Sequence, residues 1–451
     1  MNKSISMEIV NPHAAGIDVG SRSHFVAIGQ GKEDVLEFGV YNEHLLAIAK
    51  WLRENAITTV AMESTGTYWQ SLYTVLQESG FQVILCNGKF TKNIKGRKTD
   101  VQDCQWIQKL HSIGLLSGSF LPDEATEQLR TYCRHRANLL DQTADTTRKM
   151  QKYLRLLNLR LDVAVKDITG LTGLSIIASI CKGETNPQIL ASFRNGNCKK
   201  SKEEIAKALQ TNGRKDYLWG LHQEYKMYIY LQEQLKECDR EIEHLLNEHI
   251  NSNNSKREHY IEKKAYKRVN KNTPKNMDLN LMSYQYFEGV DLLAIEGISY
   301  CTVLSLMSEV GLEGIKKFST AKQFSSWLRL SPNNKISGGK VLSSRIPKGS
   351  NRLKIALRNA ANAIGNLKGT SLSIFFRRIS FRKGRNAAIS ATARKLAVII
   401  WNMIVKNQPY RNDHGYEFLD QIRKRKVLEA KKLIQKFSIN VDELTLSINA
   451  I

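Results

Sequence analysis

The run Ala14-Ala15-Gly16-Ile17-Asp18-Val19-Gly20 decides how the first part of the chain is read. Ala15–Val19 and His24–Gly29 are short apolar stretches of strand length, and Gly20-Ser21-Arg22-Ser23 between them has the composition of a hairpin turn. Val35–Val40 supplies a third strand. From Asn42 the apolar period lengthens to that of a helix. Leu45, Leu46, Ile48, Ala49 and Leu52 share one face, with Asn42 as the expected N-cap. Thr58–Met62 reads as a fourth strand, Tyr68–Glu78 as a second helix and Phe81–Cys86 as a fifth strand. A third helix opens at Thr99 and runs to about Leu110. Three consecutive strands, then helices alternating with strands, predict an α/β domain: a mixed sheet covered by helices.

The whole chain has 451 residues, enough for two or three domains at roughly 150 residues each. With 42% hydrophobic and 24% charged residues it is globular in composition, which excludes disorder and collagen-like repetition. Lys+Arg 67 against Asp+Glu 43 gives a net charge of +24, which points to a polyanion, either nucleic acid or an anionic membrane surface. The longest apolar run, Leu396–Val405 interrupted by Asn402, is too short to span a bilayer. Met1–Gly20 has no apolar core of signal-peptide type, so neither membrane insertion nor export is expected. Cys86, Cys104, Cys133, Cys181, Cys198, Cys238 and Cys301 are odd in number and include no Cys-x-x-Cys pair. They fit reduced thiols in a cytoplasm and offer no zinc site. Nucleic acid is the expected partner.

Beyond the first domain the pattern is helical. Leu129, Tyr132, Arg136, Leu139, Thr143, Met150, Leu154 and Leu157 keep a near-heptad spacing, as do Leu221, Tyr225, Tyr228, Leu235, Cys238, Ile242 and Leu245. Two such helices are expected to return on each other as an antiparallel coiled coil or to lie as amphipathic helices on a globular core; the spacing allows both. An Asn- and Lys-rich insertion of about 251–283 follows, apolar-poor to about Asp278 and read as a mobile linker. From Phe287 a core returns. Leu292, Leu293, Ile295 and Ile298, then Val303, Leu304 and Leu306, flank Gly297 in the manner of a helix–turn–helix unit, whose turn offers backbone amides to a phosphate. Residues 333–351 read as a loop rich in Gly, Ser and Lys. Three helices follow around 352–364, 370–381 and 386–406. The expected exposed faces carry Arg352, Lys354, Arg358, Arg377, Arg378, Arg382, Lys383, Arg385, Arg394 and Lys395. With Lys340, Arg345 and Lys348 in the loop, this density favours contact with a phosphate backbone over a merely solvated face.

The carboxylates carry the chemistry. Asp18 lies in an apolar strand, where a charge costs several kcal/mol unless it is paired or bound to a cation. Glu63 ends Thr59-Val60-Ala61-Met62-Glu63, and Asp100 and Asp103 stand at i and i+3 near a helix start, facing the same way. Two strand-end acids and two on one helical face can converge on hard cations such as Mg²⁺, which takes oxygen ligands. Two such ions about 4 Å apart clamp the attacking and leaving oxygens of a phosphoryl transfer. The plainer alternatives are helix-dipole acids at Asp100 and Asp103, and a solvated strand end at Glu63. A strand–Asp–Gly–hairpin also opens actin-like kinases and ATPases, but these call for a second glycine-rich phosphate loop that is not evident here.

Three stretches resemble the acidic motifs of the DEDD-type insertion-sequence transposases of the IS110 family, also described as bridge-RNA-guided recombinases. They are Gly16-Ile17-Asp18-Val19-Gly20, Met62-Glu63-Ser64-Thr65-Gly66-Thr67-Tyr68-Trp69 and Gly96-Arg97-Lys98-Thr99-Asp100-Val101-Gln102-Asp103. The resemblance continues in Asp167-Ile168-Thr169-Gly170-Leu171-Thr172-Gly173 and Gly183-Glu184-Thr185-Asn186-Pro187. It resumes in Ile336-Ser337-Gly338-Gly339-Lys340, Asn351-Arg352-Leu353-Lys354 and Ala391-Thr392-Ala393-Arg394-Lys395-Leu396-Ala397. One departure is Ile295-Glu296-Gly297-Ile298-Ser299, which has Glu where the family often has Pro and Ser where a second Gly is common.

The resemblance implies an RNase H-like (RuvC-like) domain over 1–122, a helical coiled-coil region over 123–286 and a basic, mainly helical transposase domain over 287–451. It implies that Asp18, Glu63, Asp100 and Asp103 bind Mg²⁺, two ions per site, and that Ser337 is a nucleophile joined covalently to a DNA phosphate. It also implies double-stranded donor and target DNA, a structured bridge RNA that pairs with both, and dimers pairing into a tetramer, with acids and serine from different subunits. The expected function is therefore a DNA transposase/recombinase, DNA-associated and cytoplasmic. The rivals are a Holliday-junction resolvase-like nuclease using water, which needs the acids alone, and a non-catalytic nucleic-acid-binding scaffold.

Overall fold

Strand β1 (Ala14–Val19) is the middle of a five-stranded sheet of order β3-β2-β1-β4-β5, with β2 at His24–Ala27, β3 at Val35–Phe38, β4 at Thr59–Glu63 and β5 at Gln82–Cys86. This computed structural model describes residues 8–88, 99–252, 267–275, 277–349, 351–411 and 418–438. The chain divides into two units, Met1–Leu121 and Pro122–Ile451. In the first, β1, β2 and β3 run antiparallel, whereas β1, β4 and β5 run parallel. The β1–β2 connection is the short turn expected, closed by the Gly20 N–H donating to the Ser23 carbonyl at 3.1 Å. The parallel strands are reached through helices α1 (Asn42–Glu54) and α2 (Trp69–Glu78), because a parallel neighbour requires a crossover. Helix α1 has Tyr41, not Asn42, at its N-cap. Tyr41 is extended, and its carbonyl already accepts from the Leu45 N–H.

Strand alternation divides the sheet into two faces. Ile17, Val19, Val60 and Met62 point to the face covered by Leu45, Ile48 and Leu52 of α1 and by Leu72 and Leu76 of α2, all buried. Each such side chain stabilises the fold by roughly 1.5–3 kcal/mol. The opposite face, with Ala14, Gly16 and Ala61, is covered by helix α3 (Asp100–Ser112). Gly16 permits this: a Cβ there would stand 2.1 Å from the Gln108 backbone nitrogen and 2.5 Å from the Cys104 carbonyl oxygen. Gln108 Nε2 donates to the Ala14 carbonyl at 3.2 Å, and His111 Nε2 lies 2.9 Å from Thr59 Oγ1. The Thr99 hydroxyl caps the helix by accepting from the Gln102 N–H.

In the second unit, α4 (Glu124–Leu156) and α9 (Lys215–Ser252) pack along each other. The contacts fix an antiparallel sense. Cys238 Sγ donates to the Tyr132 carbonyl, Arg136 pairs with Asp239, Lys149 with Glu224, and Gly220 lies against the Tyr153 ring. Arg136 and Asp239 are both buried, at 2.5 Å Nε to Oδ1. Between the long helices, α5 (Leu161–Ala164), α6 (Leu171–Cys181), α7 (Pro187–Ser192) and α8 (Lys202–Ala208) close a separate apolar cluster around Leu159, Ile176, Ile177 and Leu209.

The insertion departs from a mobile linker where it is described. Arg136 Nη1 donates to the Asn272 carbonyl, the Lys275 N–H donates to Asp239 Oδ2, and Thr273 is buried. The buried ion pair thus holds 267–275 in place; residues 253–266 and 276 lie outside the described residues. Helix α10 (Leu279–Tyr286) begins before the expected end of the insertion.

Toward the C-terminus the first arm of the expected helix–turn–helix is only a 3-10 turn, Leu292–Ala294, ahead of α11 (Tyr300–Glu309). Leu292, Leu293 and Ile295 are buried nonetheless. Gly297, at φ +76°, brings this turn against the chain at Ala360, whose carbonyl oxygen a Cβ would meet at 2.6 Å. The Glu296 carboxylate accepts from the Tyr410 hydroxyl, so an acid occupies the turn. After α12 (Gly311–Lys316) and α13 (Ala321–Trp327) comes a hairpin, β6 (Lys335–Ser337) and β7 (Lys340–Ser343), within the segment expected to be a loop. Gly338 and Gly339, at φ +53° and +75°, form the two-residue turn that a twisted hairpin favours. Helices α14 (Arg352–Ile364), α15 (Ser371–Lys383) and α16 (Arg385–Val405) follow, then α17 (Phe418–Phe437). Among the described residues α16 alone is long and apolar enough to cross a membrane, since it extends well before Leu396. Leu396, Ala397, Ile400 and Trp401 are buried against protein, as in a core helix.

Candidate active site and basic surface

Two of the four acids, Asp18 and Glu63, end neighbouring strands of the first unit, and the other two, Asp100 and Asp103, lie in the first turn of α3. The β1–β4 register pairs Gly16 with Ala61 and Ile17 with Met62, so the next step brings Asp18 beside Glu63. Neighbouring strands are about 4.8 Å apart. Both acids fall on the Gly16 and Ala61 face, the one covered by α3. That helix runs antiparallel to β1: Gln108 stands at Ala14, and Cys104 and Gln108 at Gly16. Asp18, one step further along the strand, is therefore level with the first turn of α3, where Asp100 and Asp103 lie. Asp103, Ile107 and His111 continue one helical stripe, as do Asp100, Cys104 and Gln108, and its lower part is buried on the sheet. Asp18, Glu63 and Asp103 are half-buried and Asp100 is exposed.

Two cysteines report on this site. Burial pushes the Cys104 thiol up to about 12, and the carboxylates of Asp18 and Asp103 add to the rise. Burial pushes Cys86 up to about 11, with Glu63 acting the same way. Both thiols donate to backbone carbonyls, Cys86 to Met62 and Cys104 to Val101. Glu63 fills the space above Gly88, where a Cβ would lie 2.2 Å from Oε1. Among the described residues no three or more His, Cys, Asp or Glu side chains close around one point in the manner of a metal cage. The donor set fits a hard cation by its chemistry: carboxylates only, two of them register neighbours, on one face. Asp18 and Glu63, with Asp103 and Asp100, are the residues able to hold it.

The sequence singled out the acids but assigned no part to Gly16, Gly88, Cys104 or Gln108. A glycine opposite a helix backbone has no signature until the partner element is known. Residues 96–98 of the third acidic motif lie outside the described residues.

Ser337 is in the second unit, at the last position of β6. It pairs with Lys340 across the Gly338-Gly339 turn. Ser337, Gly338, Gly339 and Lys340 are exposed, and a Cβ on either glycine would meet nothing within 4 Å. Lys340, Arg345, Lys348, Arg352, Arg377, Arg378, Arg382 and Lys383 are exposed, and Arg394 and Lys395 half-buried. Lys354 differs from expectation. It is buried, and its Nζ donates to the Pro347 carbonyl at 3.1 Å because it lies on the inner stripe of α14 with Leu353, Leu357 and Ala361. Arg358 is half-buried and donates to Ser390 Oγ at 2.6 Å, which joins α14 to α16. Arg377 donates to the Leu367 carbonyl, and Arg385 to Asn362 and Asn366, so these two cap neighbouring chain ends as well as facing solvent.

Residues 15–158 match the DEDD-type transposase family of the IS110 group, described as a transposase. Residues 291–372 match the family described as "Transposase IS116/IS110/IS902 family". Two curated relatives are similar. The "Transposase for insertion sequence element IS1111A" of Coxiella burnetii is 32% identical over 122 residues, 26% of this chain and 33% of that protein. A "Probable family 20 transposase" of Pseudomonas aeruginosa is 29% identical over 124 residues, 27% of this chain and 36% of that protein. The chain thus spans about a third of the length of each of these relatives. The two family matches fall in the right order, the first holding all four acids and the second Ser337, and the chain belongs to the IS110 family of transposases.

Proposed function

We propose that this protein is a DNA transposase that cuts and rejoins the strands of a mobile element. Asp18, Glu63, Asp100 and Asp103 hold Mg²⁺, two ions to a site, and Ser337 is the nucleophile. One observation carries the reading: Asp18 and Glu63, one step beyond the paired Ile17 and Met62, lie on the sheet face covered by α3, whose first turn is acidic, inside the stretch matched to the transposase family. The order β3-β2-β1-β4-β5, with helices on both faces, supports an RNase H-like domain over 1–122. The long antiparallel helices support a coiled-coil region over 123–286, and the basic helices a transposase domain over 287–451.

Bound metal supplies charge stabilisation at the phosphorus and lowers the pKa of an attacking hydroxyl. Ser337 Oγ attacks a DNA phosphate. An Oγ–P bond forms, the bond from phosphorus to the sugar oxygen breaks, the serine proton is released, and the departing sugar oxygen takes one up. Because the ester is kept, attack by a sugar hydroxyl of another strand reverses the step and rejoins DNA without an external energy source. The exposed turn beside Lys340 supports this role. Lys340, Arg345, Lys348, Arg352, Arg377, Arg378, Arg382, Lys383, Arg394 and Lys395 contact phosphates. The charge of +24 supports nucleic-acid partners. We assign these as double-stranded donor and target DNA and a bridge RNA, acting on a dimer that pairs into a tetramer in the cytoplasm.

The test is to stop reactions in denaturant, digest the protein and map any phosphoserine–DNA adduct by mass spectrometry. An adduct at Ser337 that is absent from a binding-competent Ser337→Ala protein is expected. Strand cleavage by Ser337→Ala at the normal rate, with no adduct, replaces the serine mechanism with hydrolysis by metal-activated water.

A further inference from the structure

The second unit contains a cavity of about 860 Å³ between α13, the strand end after β7, α15 and α16. This is within the roughly 300–1,000 Å³ range of sites for small organic groups. Its floor is apolar, with Phe375 and Ile379 from α15 and Ala387, Ala391 and Val398 from α16. Its rim is cationic, with Lys322, Arg345, Arg382, Lys383 and Arg394. No Asp or Glu lines it. The surrounding sequence is equally one-sided: the 99 residues 314–412 contain 21 Lys or Arg and no Asp or Glu.

A phosphate backbone alone needs the rim and has no use for the floor, and an apolar ligand needs the floor and not the rim. A nucleotide needs both. We infer that this cavity receives one unpaired nucleotide, its base on the Phe375, Ile379 and Ala391 floor and its flanking phosphates on the Arg345, Arg382 and Arg394 rim. The inference rests on the nucleic-acid reading above and deepens it by naming a strand feature the protein recognises. Lys395 Nζ lies 4.6 Å from the Phe375 ring centroid, so a cation already sits on an aromatic ring within the cavity. Burial, and then the nearby Arg378, lower the pKa of Lys395, the response of an ammonium held in an apolar and cationic setting. Ser344, Asn386 and Ser390 supply hydrogen-bonding groups at the wall. Stacking of an extruded base on aromatic and apolar side chains is tolerant of sequence, so the cavity reads an unpaired position and not a base identity.

The experiment compares a short duplex carrying one bulged 2-aminopurine nucleotide with the same duplex fully paired, by fluorescence anisotropy. The bulged strand is prepared as deoxyribonucleotide and as ribonucleotide, and the larger preference identifies DNA or RNA as the source. The wild-type protein is expected to prefer the bulge by about 5- to 150-fold, the value of one stacked base. Ala391→Trp fills the floor and leaves every cation in place, so it is expected to abolish the preference and keep affinity for the paired duplex. A second measurement needs no variant: 4-thiothymidine at the bulge should photocrosslink to the wild-type protein within residues 375–398. No preference in the wild type, a preference kept by Ala391→Trp, or crosslinks confined elsewhere each overturn the cavity assignment while leaving the transposase reading intact. Failure to bind either duplex overturns both.

Discussion

Asp18 and Glu63 stand one step beyond Ile17 and Met62, the last residues paired between β1 and β4, on the sheet face that α3 covers. Two carboxylates carried on adjacent strand ends repel each other in their charged forms. Such a pair is an arrangement a cation relieves.

Asp18→Ala and Glu63→Ala are therefore expected to leave folding and nucleic-acid binding intact and to lower strand cleavage by several orders of magnitude, since charge stabilisation is usually the largest catalytic contribution. Gel-shift affinity and single-turnover cleavage in Mg²⁺ on the same preparation separate the two effects. Ordinary cleavage by a folded Asp18→Ala protein would remove Asp18 from the site.

Gly16→Ala places a methyl 2.1 Å from the Gln108 nitrogen, where both neighbours are backbone. Helix α3 has to move away from β1, at a cost of about 1–3 kcal/mol or more. For a unit of this size that lowers the melting temperature by about 4 °C per kcal/mol. Cleavage is expected to fall further than stability, because Asp103 moves with the helix. Thermal unfolding with parallel activity assays checks this; an unchanged melting temperature contradicts the packing described here.

Neutralising Arg378, Arg382 and Lys383 singly is expected to flatten the slope of log affinity against log salt by roughly 0.7–0.9 each. Arg377 is expected to contribute less, because part of its guanidinium is engaged by the Leu367 carbonyl. Titrations across salt concentrations give the slopes. A slope unchanged in the quadruple alanine variant makes the face simply solvated.

Arg136→Ala or Asp239→Ala leaves an uncompensated buried charge, with an expected loss of about 3–5 kcal/mol. The double substitution Arg136→Met with Asp239→Leu is expected to recover most of it. Urea unfolding of the single and double variants measures the coupling, and additive losses refute it.

What the sequence made legible was local. Periodicity located the five strands to within a residue or two and placed the two long helices, though their ends lie several residues beyond the heptad positions, because alternation and heptads are properties of one segment. The Asp18–Glu63 adjacency needed the β1–β4 register, which two distant segments set together, and the fit of α3 on Gly16 likewise. Residues 335–343 read as loop in sequence because Ser337-Gly338-Gly339-Lys340 is dominated by turn chemistry and the strands on either side are very short. The charge of Lys354 suggests exposure; its helical stripe, shared with Leu353 and Leu357, buries it. The cavity floor combines α15 and α16, so no single stretch announces it.

The Arg136–Asp239 pair also sets a length. If α9 slid one heptad along α4 in one direction, Arg136 would face Leu246 and Asp239 would face Thr143. In the other direction they would face Gln232 and Leu129. Apolar heptads alone would tolerate either slide, whereas each one strands two ions in the interior. The helical arm is therefore a ruler with a single graduation: the two helices hold one alignment along their length, and the segment that joins their far ends is set at one distance along them.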